Sequence, residues 1–100
     1  MIVEYIRYKI AAEQREAFEQ AYEKTQDILK TSPHCLGYEL SRCVEESENY
    51  ILRIEWDSMD GHLNGFRKSP EFSQFFALVK PFFDAIEEMN HYELTHIQSN

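Results

Sequence analysis

His62 is the residue of this chain best suited to acid–base work. A free imidazole titrates near neutrality, so it can take a proton from a phenol or a carbon acid and return it later. It belongs to the set Met59, His62, Leu63 and Phe66, whose spacing puts all four on one side of a helix and turns the imidazole inward. The plainer alternative is a packed or rim histidine bonded to a backbone carbonyl. Tyr8, Tyr38, Trp56, Phe66 and Phe76 can line a flat aromatic pocket between a sheet and its helices. Such a wall suits a planar aromatic ligand, with a phenol hydroxyl or the indole N–H to orient it. Taken singly, each of these rings is also ordinary core.

The other titratable groups point less sharply. His91 stands beside Met89 and Glu93. It reads as an interface histidine bonded to Glu55 or Glu93 before it reads as a group that approaches a pocket in the other subunit. Arg7 and Arg53 read as ion-pairing groups first and anion binders second. Cys35 follows a proline at the start of a strand, and neighbouring His34 points to the opposite face, so no base activates its thiol. It reads as a small buried apolar residue. The four histidines and two cysteines have no close ligand spacing, so no metal site is expected.

The elements that must position these groups follow from the periodicity. Residues 2–10 alternate, with Ile2, Ile6, Tyr8 and Ile10 on one face and Glu4 an exception among them. Val3, Tyr5, Arg7 and Lys9 take the other face. Residues 12–30 change to a helical period, with Phe18, Ala21, Tyr22, Thr25, Ile28 and Leu29 as the apolar stripe. Thr31, Ser32 and Pro33 stop this helix. A second strand covers 36–44, with Leu36, Tyr38, Leu40 and Val44 on one face, and a polar turn of acids leads to a third. In that third strand Tyr50, Leu52, Ile54 and Trp56 alternate with Ile51, Arg53 and Glu55. So short a link predicts an antiparallel hairpin. The chain turns at Asp57 and Ser58 into the short helix of His62. Ser69, Pro70 and Glu71 open another helix with a capping hydroxyl, a proline and an acid. Pro81 ends or kinks it, and a last strand covers roughly 87–95. There Met89, His91, Glu93 and Thr95 share one face and Tyr92 and Leu94 the other. Residues 96–100 read as a frayed tail.

Strand, helix, strand, strand, helix, strand is the ferredoxin-like βαββαβ order, an α+β fold with a four-stranded antiparallel sheet and its helices on one face. The chain of 100 residues holds one domain. The helix-free face carries Val3, Tyr5, Ile51, Arg53, Glu55, Glu39, Met89 and His91, too apolar for solvent and too charged for a dry core. It is expected to pack against a second copy as a two-fold homodimer. A formal charge of -8 with scattered basic residues argues against nucleic acid and anionic membranes. No secretory signal or spanning apolar run is visible, so a cytoplasmic protein with reduced cysteines is expected.

The segments HCLGYEL (34–40), YILRIEWDSMDGHLNGFRKSPEF (50–72) and FFDAIEEMNHYELT (82–95) resemble the antibiotic biosynthesis monooxygenase domain of the dimeric α+β barrel superfamily. Together with the element order, the resemblance covers almost the whole chain. It implies a cofactor-independent monooxygenase for a small aromatic such as a quinol, dihydroxynaphthalene or anthrone, with His62 as the base. The haem-degrading branch of that family uses an Asn on the first strand, then a Trp and a His ten residues apart. Residues 1–10 hold no Asn, and Phe66 and Phe76 stand at the other two positions, so the resemblance argues against haem degradation. Two alternatives remain: a non-catalytic dimeric domain that binds a small apolar ligand, and an interaction domain with a filled core and no cavity beside Trp56.

Overall fold

A computed structural model describes residues 1–99, and Asn100, the last residue of the expected tail, lies outside the described residues. The strands are β1 (Ile2–Lys9), β2 (Cys35–Arg42), β3 (Asn49–Trp56) and β4 (Ile86–Glu93). The α-helices are α1 (Arg15–Thr31), entered through a 3₁₀ turn at Ala12–Gln14, and α2 (Pro70–Val79). A π-helix at Gly61–Phe66 precedes α2, and a 3₁₀ helix at Lys80–Ala85 follows it. The strands lie in the order β2-β3-β1-β4, and every neighbouring pair is antiparallel. This is the ferredoxin-like α+β arrangement that the periodicity predicts. No helix among the described residues is long and apolar enough to cross a membrane.

Alternation decides which face of the sheet is covered. Tyr50, Leu52, Ile54 and Trp56 are each 1% exposed, whereas Ile51 between them is 44% exposed. Helix α1 lays Phe18, Ala21, Tyr22, Thr25 and Leu29 onto that face. Phe18 sits at the middle of a ring cluster, with centroids 4.8 Å from Tyr8, 5.2 Å from Tyr22, 4.9 Å from Tyr50 and 5.2 Å from Phe82. Edge contacts of this kind contribute about 0.5–1.5 kcal/mol each beyond area burial.

Four expectations change. In β4 the parity is broken by a bulge. Ile6 pairs with Met89 and Glu4 with His91, but Tyr8 pairs with Ile86 after a register shift. Ile86, Met89 and His91 therefore all share the helix-covered face, and Tyr92 falls beside Tyr5 on the open face, their rings 5.4 Å apart. A second bulge, between Cys35 and Gly37, turns Cys35 toward the core and leaves Leu36 53% exposed. Leu63 is also exposed, because the π-helix holds only His62 and Phe66 of the expected four fully inside. Finally, the Ser69 hydroxyl does not cap α2; it donates back to the Phe66 carbonyl at 2.6 Å, and Pro70 starts the helix.

Candidate active site

A short segment fixes the approach of His62 to the sheet. Where β3 ends, Asp57 Oδ2 meets His34 Nδ1 at 2.9 Å, and the Asp57 N–H donates to the His34 carbonyl at 3.0 Å. The following turn packs so tightly on this pair that a Cβ on Gly61 would lie 1.9 Å from Asp57 Oδ1. One on Gly65 would lie 2.4 Å from His34 Cδ2. Only glycine allows that approach. The helix then widens, with Arg67 N–H bonded to the carbonyl of His62 five residues back at 3.0 Å. Such π-bulges recur at functional sites. Here the widening carries His62 and Phe66 onto Trp56, with the imidazole stacked on the indole at 4.2 Å and 10° between planes.

Three polar side chains from three elements meet beside that stack. Glu4 of β1 is 3% exposed and His62 is 3% exposed, while His91 of β4 lies directly across from Glu4 in the strand register. His62 Nδ1 is 2.9 Å from His91 Nε2. His62 Nε2 is 3.6 Å from Glu4 Oε1, and His91 Nε2 is 3.7 Å from Glu4 Oε2. Trp56 donates its indole N–H to Glu4 Oε1 at 3.1 Å. One assignment of protons satisfies both contacts of His62: His91 Nε2–H donates to His62 Nδ1, and His62 Nε2–H faces the carboxylate.

Burial governs the protonation of this group. Loss of water pushes the Glu4 carboxyl up, against the smaller opposite pull of the Trp56 bond and of the charges of His91 and Arg67. Burial likewise pushes His62 down to about 3, with Arg67 and His91 adding to the effect. His62 is thus a neutral imidazole at physiological pH, and Glu4 has a more than ordinary affinity for a proton.

A cavity of about 490 Å³ opens beside these groups. Glu4, His62, Trp56 and Arg67 form one part of its lining, and Phe66, Phe72, Phe75, Phe76 and Phe83 form much of the rest. Tyr8 and Tyr22 also line it and share a buried hydrogen bond between their hydroxyls. Burial raises both phenols, Tyr8 to about 12, so both stay protonated donors. Arg67 makes no side-chain hydrogen bond or ion pair among the described residues.

Of the residues singled out in the sequence, His62, Tyr8, Trp56, Phe66 and Phe76 come together in this cavity. Tyr38 does not. It lines a separate depression of about 550 Å³ between α1 and the edge strand β2, where its hydroxyl donates to Gln26 Oε1 at 3.1 Å. His91 lies against His62 and Glu4 rather than on the helix-free face. Spacing along the chain also hid the two-histidine, one-carboxylate cluster, because it forms only when β1 and β4 pair. Glu4 and Arg67 were missed as site residues. The signal for Glu4 was present as the one acid among apolar residues on its strand face. The cavity beside Trp56 argues against a filled-core interaction domain.

Residues 1–78 match the antibiotic biosynthesis monooxygenase family. The uncharacterised protein YczJ of Bacillus subtilis (strain 168) is 30% identical over 76 residues, which is 76% of this chain and 80% of that one. A solved structure from Bordetella bronchiseptica, named provisionally as an antibiotic biosynthesis monooxygenase, superposes with a TM-score of 0.77 at 23% identity, over 94% of this chain and 96% of that one. A conserved protein from Methanosarcina mazei Go1 gives a TM-score of 0.76 at 18% identity, over 94% and 92% of the two chains. At such identities the structural likeness speaks for the fold, and the sequence match speaks for the family. The chain belongs to the antibiotic biosynthesis monooxygenase family.

Proposed function

We propose that this protein is a monooxygenase that needs no flavin or metal and oxidises a small electron-rich aromatic, such as a quinol, dihydroxynaphthalene or anthrone, in the cavity beside Trp56. The observation that carries this reading is the juxtaposition of a phenyl-walled cavity with a buried carboxylate and a neutral imidazole. The phenyl rings hold the flat substrate and exclude water. The Glu4–His62 pair, rather than His62 alone, takes the proton of a phenol or an activated C–H. The raised proton affinity of Glu4 favours that transfer. Arg67 and the Tyr8 and Tyr22 hydroxyls stabilise the substrate anion.

The anion then gives one electron to O2. The resulting radical pair couples as a peroxide at a ring carbon. The peroxide takes the proton held by the pair; loss of the remaining hydrogen of that carbon as a proton then breaks the O–O bond, which leaves one oxygen on the product as a carbonyl and releases the other as hydroxide that this second proton converts to water. The substrate thus supplies both electrons.

The same proposal includes a homodimer. Tyr5, Ile51 and Tyr92 on the helix-free face are 37%, 44% and 48% exposed, and they lie between the Arg7–Glu87 and Arg53–Glu55 ion pairs at 3.3 Å and 2.8 Å. An apolar strip bordered by charges suits a second copy of the same face.

The direct test is oxygen uptake by chelator-treated protein against a panel of quinols, dihydroxynaphthalenes and anthrones. Uptake above autoxidation that falls at least about tenfold in both Glu4→Gln and His62→Ala is expected, in line with the usual worth of a positioned acid or base. Uptake left unchanged in both variants would remove the pair from the mechanism.

A further inference from the structure

We propose that Glu4, His62 and His91 form a binding site for one divalent transition-metal ion, in which the ion takes the place of the proton between the two imidazoles. The inference does not rest on the oxygenase reading, because it concerns the three side chains and needs no substrate.

Four features of the structure lead to it. The first is the donor set. Two imidazole nitrogens and a carboxylate oxygen converge with all three ligand atoms within 4.8 Å of one another. Imidazole selects ions such as Zn(II), Co(II) and Fe(II) over Mg(II) and Ca(II). The second is spacing. Ligands about 2.0–2.2 Å from a common ion lie roughly 2.8–3.6 Å apart, from right-angled to tetrahedral geometry. His62 Nδ1 and His91 Nε2 already stand at 2.9 Å, and His91 Nε2 and Glu4 Oε2 at 3.7 Å. Small side-chain rotations complete the set.

The third feature is support. Glu4 and His91 are register partners on adjacent strands, so their backbones are held by the sheet. His62 is fixed by its stack on Trp56, and the same indole bonds Glu4 Oε1, which leaves Oε2 free for the ion. Oriented carboxylates of this kind are typical of the groups around bound metals. The fourth is charge. Glu4 is buried, and no ion pair with a lysine or arginine forms at its carboxylate among the described residues. A cation between Glu4 and the imidazoles supplies the missing partner. Three protein ligands leave further coordination positions open, and Glu4 and His62 line the cavity, so those positions face its interior.

Binding releases the proton between the imidazoles. It also occupies the Glu4 carboxylate, so a redox-inert ion such as Zn(II) should block any reaction that uses Glu4 as base.

The test uses tag-free, chelator-treated protein titrated with Zn(II) by calorimetry and with Co(II) by visible absorption. The expected result is one ion per chain, with d–d bands for Co(II) that Zn(II) displaces. Affinity should fall at least about tenfold in His91→Ala and in Glu4→Gln and also weaken in Trp56→Phe, the range seen for ligands and their supporting groups. His96→Ala, which removes an exposed histidine outside the cluster, should bind as the parent does. Circular dichroism of each variant separates loss of ligand from loss of fold, and the Co(II) spectrum of the parent needs no variant at all. Absence of stoichiometric binding overturns the proposal. So does binding that survives His91→Ala in a folded variant or disappears in His96→Ala. Each of these results leaves the oxygenase reading standing, because that reading is tested on metal-free protein.

Discussion

Glu4→Gln should make the metal-free protein more stable while it removes the proton acceptor. The carboxyl of Glu4 is 3% exposed, and burial raises its proton affinity. A raised acid is a burden to the folded state at neutral pH, because the unfolded chain ionises it freely and the folded chain does not. Leaving a buried charge incompletely compensated costs about 1–3 kcal/mol. Against this, the Trp56 bond at 3.1 Å is stronger to a carboxylate than to an amide oxygen, by about 1 kcal/mol. Gln keeps the length of the side chain and an oxygen for the indole to reach. The net gain is therefore about 1 kcal/mol, which in a domain of this size raises Tm by roughly 4–8 °C. Urea unfolding at pH 7 is the cleaner assay, since a rise in midpoint at constant slope reports stability alone. A loss of about 1 kcal/mol or more in Glu4→Gln would refute this reasoning and make Glu4 a structural anchor whose charge the fold requires.

Gly61→Ala places a methyl 1.9 Å from Asp57 Oδ1 and 2.8 Å from His34 Nδ1, so it must displace this hydrogen-bonded pair. A cost of about 1–3 kcal/mol in urea unfolding is expected from such overpacking. His34 also holds the Asp57 carboxyl below its ordinary value. A depressed acid contributes stability above its unfolded pKa, about 3.9, and loses it as pH falls through the folded value. The difference in melting temperature between the parent and Asp57→Asn should thus shrink in the acid range below about pH 4. A difference constant down to about pH 2.5 would contradict that linkage. Tyr8→Phe leaves the Tyr22 hydroxyl, in a residue 5% exposed, without its partner, at about 1–3 kcal/mol. Adding Tyr22→Phe should recover part of that loss, and fully additive single effects in the double-mutant cycle would show that the two hydroxyls are not coupled.

Much of this architecture is legible in the alternation of the strands and the stripe of α1, because each buries one face and exposes the other. Trp56, Phe66 and His62 could be placed together because one turn carries the chain from the end of β3 straight back over it. The face of His91 could not. Met89 and His91 are odd-numbered while Ile86 is even-numbered, and only the bulge opposite Arg7 and Tyr8 puts all three on the same side. A strand rich in acids and with few apolar residues gives parity nothing to hold on to. Tyr38 shares the helix-covered face with Ile54, its register partner, yet β2 is the edge strand, so its ring meets α1 instead of the cavity. Glu4 illustrates a different limit. An acid in an apolar alternation can mark either a strand end or a buried site, and the sequence does not choose until its neighbours across two strands are known.

The cavity beside Trp56 as the ligand site is tested most directly by the indole N–H resonance of the protein. Trp56 is the only tryptophan, so one cross-peak in a 15N-edited spectrum reports on it alone. Dihydroxynaphthalene would be titrated into metal-free protein under anaerobic conditions, and into Val79→Phe, which narrows the cavity between α2 and the sheet. The expected result is a saturable shift of that peak in the parent, much weakened in the filled variant. A peak that stays in place, or one that moves equally in both proteins, would contradict the assignment of the site.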